Sequence, residues 1–368
     1  MNVTPLTILI FIFAFGGMVI IHEFGHFIVA RLCRIEVEEF GIGLPTPGAI
    51  TLFVWQGTRF TLNWLPLGGF VRPKGENDPT IEGGLAAASP WKRLAVLVAG
   101  PSMNLLTAVL IYGIVFSRAG VPDPHRVLVA SVFKESPAEQ AGFQSGDIFI
   151  SGNDKPIDDF DALGTIVDAN ENKPVVFLVD RDGKQIELTA TPKMNRKEKD
   201  VMIGVGLSNP LMPATSFIQA LGVGTRATFN GARMLISLPA QLIRGSLPAE
   251  QARLVGLKGI YDIMEQSVAN DVEASQTPSS PTSNPFEGMG TLLIIASLSI
   301  SLGVFNLFPF PALDGGRIIF VLPELIFRRR VSPQLENLVH GLGMAVLLLF
   351  MVYINVMDFI NPANITIP

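Results

Sequence analysis

Charge and sulfur are both scarce in this sequence. Only 16% of its 368 residues are charged and 48% are hydrophobic, whereas an ordinary soluble domain carries about a quarter charged residues. That composition excludes a chain that is soluble throughout and points to a polytopic α-helical membrane protein with a soluble insert. A single cysteine, Cys33, excludes a disulfide framework and a thiolate metal cage. Its expected role is that of a small buried apolar residue. A net charge of −5, with no basic-aromatic stripe, offers no surface for nucleic acid. Histidine is also rare: His22, His26, His125 and His340 are the whole supply.

Where charge is missing altogether, the gaps are long. Four uncharged stretches approach or exceed the length needed to cross a bilayer. They are Met1–Ile21, Leu94–Phe116, Gly288–Leu313 and Gly341–Met357. The corresponding membrane helices are expected at 1–30, 94–117, 288–317 and 338–358. Nothing resembles a cleaved leader, because no basic segment precedes the first run and Arg31 and Arg34 follow it. Lysine and arginine then set the topology. Arg31, Arg34, Arg59, Arg72, Lys74, Lys92 and Arg93 lie between the first two spans, and Arg317 and Arg328–Arg330 between the last two. Both short loops are therefore expected in the cytoplasm, with both termini and the long insert outside.

Residues 31–93 are more than a linker. Ile50–Trp55 and Arg59–Trp64 are rich in β-branched and aromatic residues around Gln56-Gly57-Thr58, which predicts a β-hairpin. Such a hairpin fits either a small cytoplasmic sheet or an element dipping into the inner leaflet. From 125 to 195 the composition turns soluble, with strands expected at Val127–Phe133, Pro174–Val179 and Gln185–Ala190. Ser136-Pro137-Ala138 followed by Ala141-Gly142-Phe143-Gln144-Ser145-Gly146-Asp147-Ile148 resembles the bacterial PDZ domain, an α+β peptide-binding fold. Residues 211–287 suggest amphipathic surface helices and then a flexible linker, Asp271–Glu287.

The densest chemistry lies at the end of the first span, in His22-Glu23-Phe24-Gly25-His26. Helical spacing puts His22 and His26 on one face, where both can hold one zinc ion. Glu23 beside them can take a proton from a water activated by the metal. The competing reading is a helix end that has reached the membrane interface, with these side chains merely wet. A hydrolytic zinc site needs a third protein ligand. Asp314 and His340 both arrive near the inner face, whereas His125 falls on the outer side. The run Asn306-Leu307-Phe308-Pro309-Phe310-Pro311 cannot remain a regular helix, which predicts backbone lining a cavity beside Asp314.

H-E-F-G-H in the first span, A-G-P-x-x-N in the second, a PDZ insert and N-x-x-P-x-P-x-L-D-G-G in the third together resemble the site-2 protease family of intramembrane zinc metalloproteases, peptidase family M50. In type they are most similar to the bacterial regulators of sigma-E protease. The resemblance implies Zn2+ held by His22, His26 and Asp314, with Glu23 catalytic. It also implies substrate contacts from Asn306, Pro309 and Pro311, with Asn104 of the A-G-P-x-x-N motif as a further candidate. The loop around Ile50–Phe70 would be a membrane-re-entrant β element. The substrates implied are single-span membrane proteins, such as anti-sigma factors or remnant signal peptides, already trimmed by another protease. The implied location is the inner membrane, with the active site towards the cytoplasm. The chain departs from the proteobacterial sigma-E regulators in having room for one PDZ domain where they carry two. Two other classes compete. A PDZ-bearing scaffold with a structural metal would tolerate Glu23→Gln. A metal transporter would need polar groups at several depths, whereas those in these spans gather at one level.

Overall fold

A computed structural model describes residues 3–76, 78–195, 200–244, 255–276 and 286–361. The chain opens with α1 (Thr4–Leu32), started by a proline in its first turn. Four strands follow: β1 (Val37–Leu44), β2 (Ile50–Trp55), β3 (Thr58–Leu62) and β4 (Leu65–Pro73). They form one sheet in the order β2-β3-β1-β4, with β1 and β3 parallel and the other pairs antiparallel. The expected hairpin is present as β2 and β3. Its turn residues Gln56 and Gly57 have φ of 47° and 85°, the backbone that a two-residue hairpin turn requires. It is only half of the sheet, however. β1 and β4 escape a pattern search because β4 carries Pro66, Gly68, Gly69 and Pro73, residues tolerated at a sheet edge and poor in a sheet interior.

Aromatic packing locks the end of α1 to this sheet. Phe27, one residue past His26, is buried among Phe24, Phe40, Phe60 and Trp55, with ring centroids 5.6–6.3 Å apart. Ala30, Ile35, Val37, Leu85 and Val96 complete this core. Cys33, just past α1, is half-buried, where full burial was expected. After the sheet comes α2 (Pro90–Ala119).

Contacts then divide the chain, with Ser117–Gln219 compact in itself and the flanking segments forming a second unit. The elements of the inserted unit are β5 (Val121–Pro122), β6 (Val127–Val132), α3 (Pro137–Ala141), β7 (Ile148–Gly152), β8 (Lys155–Pro156), α4 (Phe160–Asp168), β9 (Val175–Arg181), β10 (Lys184–Ala190), β11 (Lys193–Asn195), β12 (Asp200–Met202), β13 (Val205–Ser208) and β14 (Leu211–Met212). Its main sheet runs β10-β9-β7-β6-β13, with β8 beside β7. Val127, Val129, Phe149, Phe177 and Val179 meet Leu163 and Ile166 of α4 in the core. The fully buried carboxylate of Asp147 accepts two hydrogen bonds from Arg181, at 2.6 and 2.7 Å. The expected strands are found, but the unit is wider than 125–195, because β13 extends the main sheet and β14 pairs with β5.

Back in the first unit, α5 (Phe217–Ile243) is one helix with Pro239 inside it. Helix α6 (Leu257–Gln276) follows, and residues 245–254 of the expected surface-helix region lie outside the described residues. The expected linker is helical from Asp271 to Gln276, while residues 277–285 of it lie outside the described residues. Asp271 has a task in this helix: its carboxylate accepts from the backbone N–H of Gly290 and Thr291 at 2.9 and 2.8 Å. It thereby caps α7 (Gly290–Leu307), where a negative charge meets the helix's free N–H groups. Helix α7 stops where the prolines predict. Residues 308–313 form turns, and α8 (Asp314–Phe327) and α9 (Pro333–Ile360) complete the chain. The third span therefore ends at Leu307 rather than continuing to 317, and the short α8 was not anticipated. Among the described residues, α1, α2, α7 and α9 are the four helices long and apolar enough to cross a membrane.

Candidate active site

Near its C-terminal end, α1 presents polar residues to α2 and to the sheet. His22 and His26 lie one turn apart and are buried, with Nε2 atoms 3.2 Å from each other. Asp314, the first residue of α8, reaches the same point: its Oδ2 lies 3.2 Å from His22 Nε2 and 3.3 Å from His26 Nε2. Two ends of the first unit, almost 300 residues apart in sequence, thus meet in one cluster.

The tautomers say what the cluster is for. His26 Nδ1 donates to the carbonyl of Val96 at 2.7 Å, so its Nε2 carries a lone pair. His22 Nδ1 faces the side-chain amide of Asn104 at 3.2 Å. With the amide turned so that Oδ1 faces the ring, it accepts the Nδ1 proton and the otherwise unpartnered Oδ1 is satisfied. His22 Nε2 is then also a lone pair. Two imidazole lone pairs and a carboxylate aimed at one another repel unless a cation lies between them. Their separations match the edges of a tetrahedron about a zinc ion, about 3.3 Å for bonds of about 2 Å. The buried Asp314 Oδ2 has no hydrogen-bond donor among the described residues, as a metal ligand should not. The donor set of two imidazoles and one carboxylate fits zinc with a position left open for water.

Close helix contact makes room for this arrangement. At Gly100 of α2 a methyl group would sit 2.7 Å from His26 Cε1 and 2.9 Å from His22 Cε1, so any larger residue would displace the rings. Gly25 plays the matching part on α1, backing onto the carbonyl of Ala99 and the side chain of Met103. These two glycines were visible within their motifs, but their steric reason was not.

Glu23, next to His22 on α1, meets the sheet. The backbone N–H of Val71 in β4 donates to its Oε2 at 3.0 Å. Val71 pairs with Phe40 of β1, and its N–H turns away from that partner, towards the open side of the sheet. A cavity of about 400 Å³ is lined by His22, Glu23, His26 and Asp314 together with Phe70, Val71 and Pro73 of β4, Asn306 of α7, Arg317 and Met344. Arg317, one turn past Asp314, is ion-paired with Glu76 just beyond β4, which ties the sheet to the helix that presents Asp314. Arg93 of α2 makes a second such pair with Glu324 of α8. Arg330, assigned only a topological role from sequence, donates to the carbonyl of Ala86 at 2.6 Å.

The other candidate residues fall in different places. Asn104, a further candidate for substrate contact, is fully buried and its amide meets His22. Pro309 and Pro311 lie in the turns after α7, outside the cavity wall, whereas Asn306 lines the cavity. His340, the rival third ligand, stands outside the donor cluster, and its Nδ1 accepts the backbone N–H of Ala312 at 3.0 Å. His125 is exposed in the inserted unit. The β2–β3 hairpin is at the far side of the sheet, and the strand at the cavity is β4.

Sequence comparison adds an independent line. The model of peptidase family M50 matches residues 10–350. A candidate zinc metalloprotease of Clostridium perfringens is 32% identical over 95% of this chain and 97% of its own length. One from Brucella suis is 29% identical over 95% of this chain and 93% of its own. The metalloprotease MmpA of Caulobacter vibrioides is 27% identical, covering 93% and 92%.

Proposed function

Because this chain belongs to peptidase family M50 and is a membrane zinc metalloprotease, we propose that it cleaves peptide bonds within the transmembrane segments of single-span membrane proteins. The observation that carries this reading is the meeting of His22, His26 and Asp314 beside Glu23 in a cavity framed by apolar helices. His22, His26 and Asp314 are the proposed zinc ligands, and Asn104 and the Val96 carbonyl orient the two rings. Zinc held there supplies Lewis acidity, acidifying water and polarising a carbonyl. Glu23 takes the proton from the attacking water as the C–O bond forms, and then passes it to the amine nitrogen as the C–N bond breaks. The Val71 N–H fixes one oxygen of that carboxylate and leaves the other free.

Substrate binding follows from the same geometry. An extended segment can add to the open side of β4 while Asn306 faces it across the cavity. In β2 every residue is exposed, including Leu52, Phe53 and Trp55, which supports seating that edge in the inner leaflet. The arginine-rich short loops favour a cytoplasmic-side active site in the inner membrane, with both termini and the inserted unit outside. The inserted unit is proposed as a PDZ domain that restricts entry to substrates already trimmed by another protease.

The test is co-expression with candidate single-span proteins. Wild-type enzyme should release a fragment cut within the span, and Glu23→Gln should leave the substrate intact although the protein still binds zinc. Equal cleavage by both would overturn the reading.

A further inference from the structure

Asp314 is delivered to the site by a turn that its own sequence does not favour. The N–H of Leu313 donates to the carbonyl of Phe310, closing a four-residue turn with Pro311 second and Ala312 third. Proline suits the second position, whereas the third needs a positive φ and normally holds glycine. Ala312 sits there at φ 82°. A left-handed alanine costs about 1–2 kcal/mol. Something outside the turn must therefore hold it; Gly316 of α8 backs onto Phe310, and α9 touches the turn at Pro311 and Ala312. His340 Nδ1 accepts the N–H of Ala312 at 3.0 Å. One turn further along the same face, Gly343 backs onto Pro311, where an added methyl group would lie 2.8 Å from the proline carbonyl. The ring of Phe320, on α8, lies 5.6 Å from the His340 ring.

We propose that His340 is a positioning residue for the metal site: its Nδ1 holds the strained Ala312 turn in the shape that presents Asp314 to the two imidazoles. The inference rests on the reading of Asp314 as a zinc ligand. It assigns His340 a part in metal binding without contact with metal or substrate. It also explains why an acceptor is needed at that point, since Asp314 lies two residues past the only described non-glycine residue of the Asn306–Gly316 motif in a left-handed conformation.

The experiment measures zinc affinity of the purified full-length protein by chelator competition. His340→Ala should weaken zinc binding about ten- to a hundredfold, the usual effect of removing a partner behind a metal ligand. His340→Asn, whose Oδ1 occupies nearly the place of Nδ1, should retain most of the affinity. Adding Ala312→Gly to His340→Ala should recover much of the loss, because glycine adopts the turn without strain. Failure of this rescue overturns the proposal. Asp314→Ala separates the two claims. If it keeps wild-type zinc affinity, the ligand reading itself falls. If it loses zinc while His340→Ala binds normally, only the positioning role falls.

Discussion

Replacing Glu23 by glutamine removes the proposed proton carrier while keeping the Val71 contact, since the amide oxygen still accepts that N–H. Peptide cleavage should fall by about a hundredfold to ten-thousandfold, with zinc content unchanged, as measured on purified protein with a cleavable single-span substrate. Gly100→Ala makes a different prediction, because its methyl group would press on both imidazoles. The rings must shift or the helices part, at about 1–3 kcal/mol, and zinc affinity should drop accordingly in the same chelator assay. Unchanged affinity would mean that the α1–α2 contact is looser than described. At this scale the sequence was informative for residues whose chemistry is carried by type and spacing: His22, Glu23, His26 and Asp314. It was silent on partners that act through the backbone, such as the Val71 N–H and the Val96 carbonyl, because every residue has those groups. Asn104 was visible but its role stayed open, since nothing in a sequence tells whether a buried amide faces a substrate or a histidine ring.

Among the elements, β4 has the most to explain. Its prolines and glycines disguised it in the sequence, yet it lies at the sheet edge, lines the cavity and meets Glu23. Substrates should therefore be cut where they unwind easily. Replacing helix-breaking residues around a cleavage site with alanine or leucine should slow cleavage severalfold or more, measured by the rate of fragment release; an unchanged rate would count against extended binding. Helix α7 gives a stability prediction. Asp271→Ala removes the acceptor for Gly290 and Thr291 and should cost about 1 kcal/mol, the usual value of a helix cap, read as a lowered unfolding temperature. The stop of α7 at Leu307 was legible from Pro309 and Pro311 because proline lacks a donor. The start of α8 was hidden because its Gly315-Gly316 pair reads as a turn. The sheet was half legible: β2 and β3 are rich in β-branched and aromatic residues, whereas β1 is placed by its partners.

For the whole molecule, the four apolar helices and the placement of lysine and arginine lead to one proposed topology. After Cys33→Ser, a single cysteine at Arg329 should react with a membrane-impermeant reagent only when the cytoplasmic side is open, and one at Lys155 should react from the outside. Reversal of the pair would invert the topology. Removing the inserted unit tests its proposed restriction on entry: loss of a filter admits untrimmed substrates, while loss of a peptide receptor weakens cleavage of trimmed ones. All of this depends on α1 and α8 sharing one metal. The most direct measurement is zinc content of the purified, active protein combined with X-ray absorption at the zinc edge. The account predicts one zinc per chain with two imidazole nitrogens and carboxylate oxygen at about 2.0–2.2 Å, and its loss in Asp314→Ala. Active protein without zinc, or full zinc occupancy in Asp314→Ala, would contradict it.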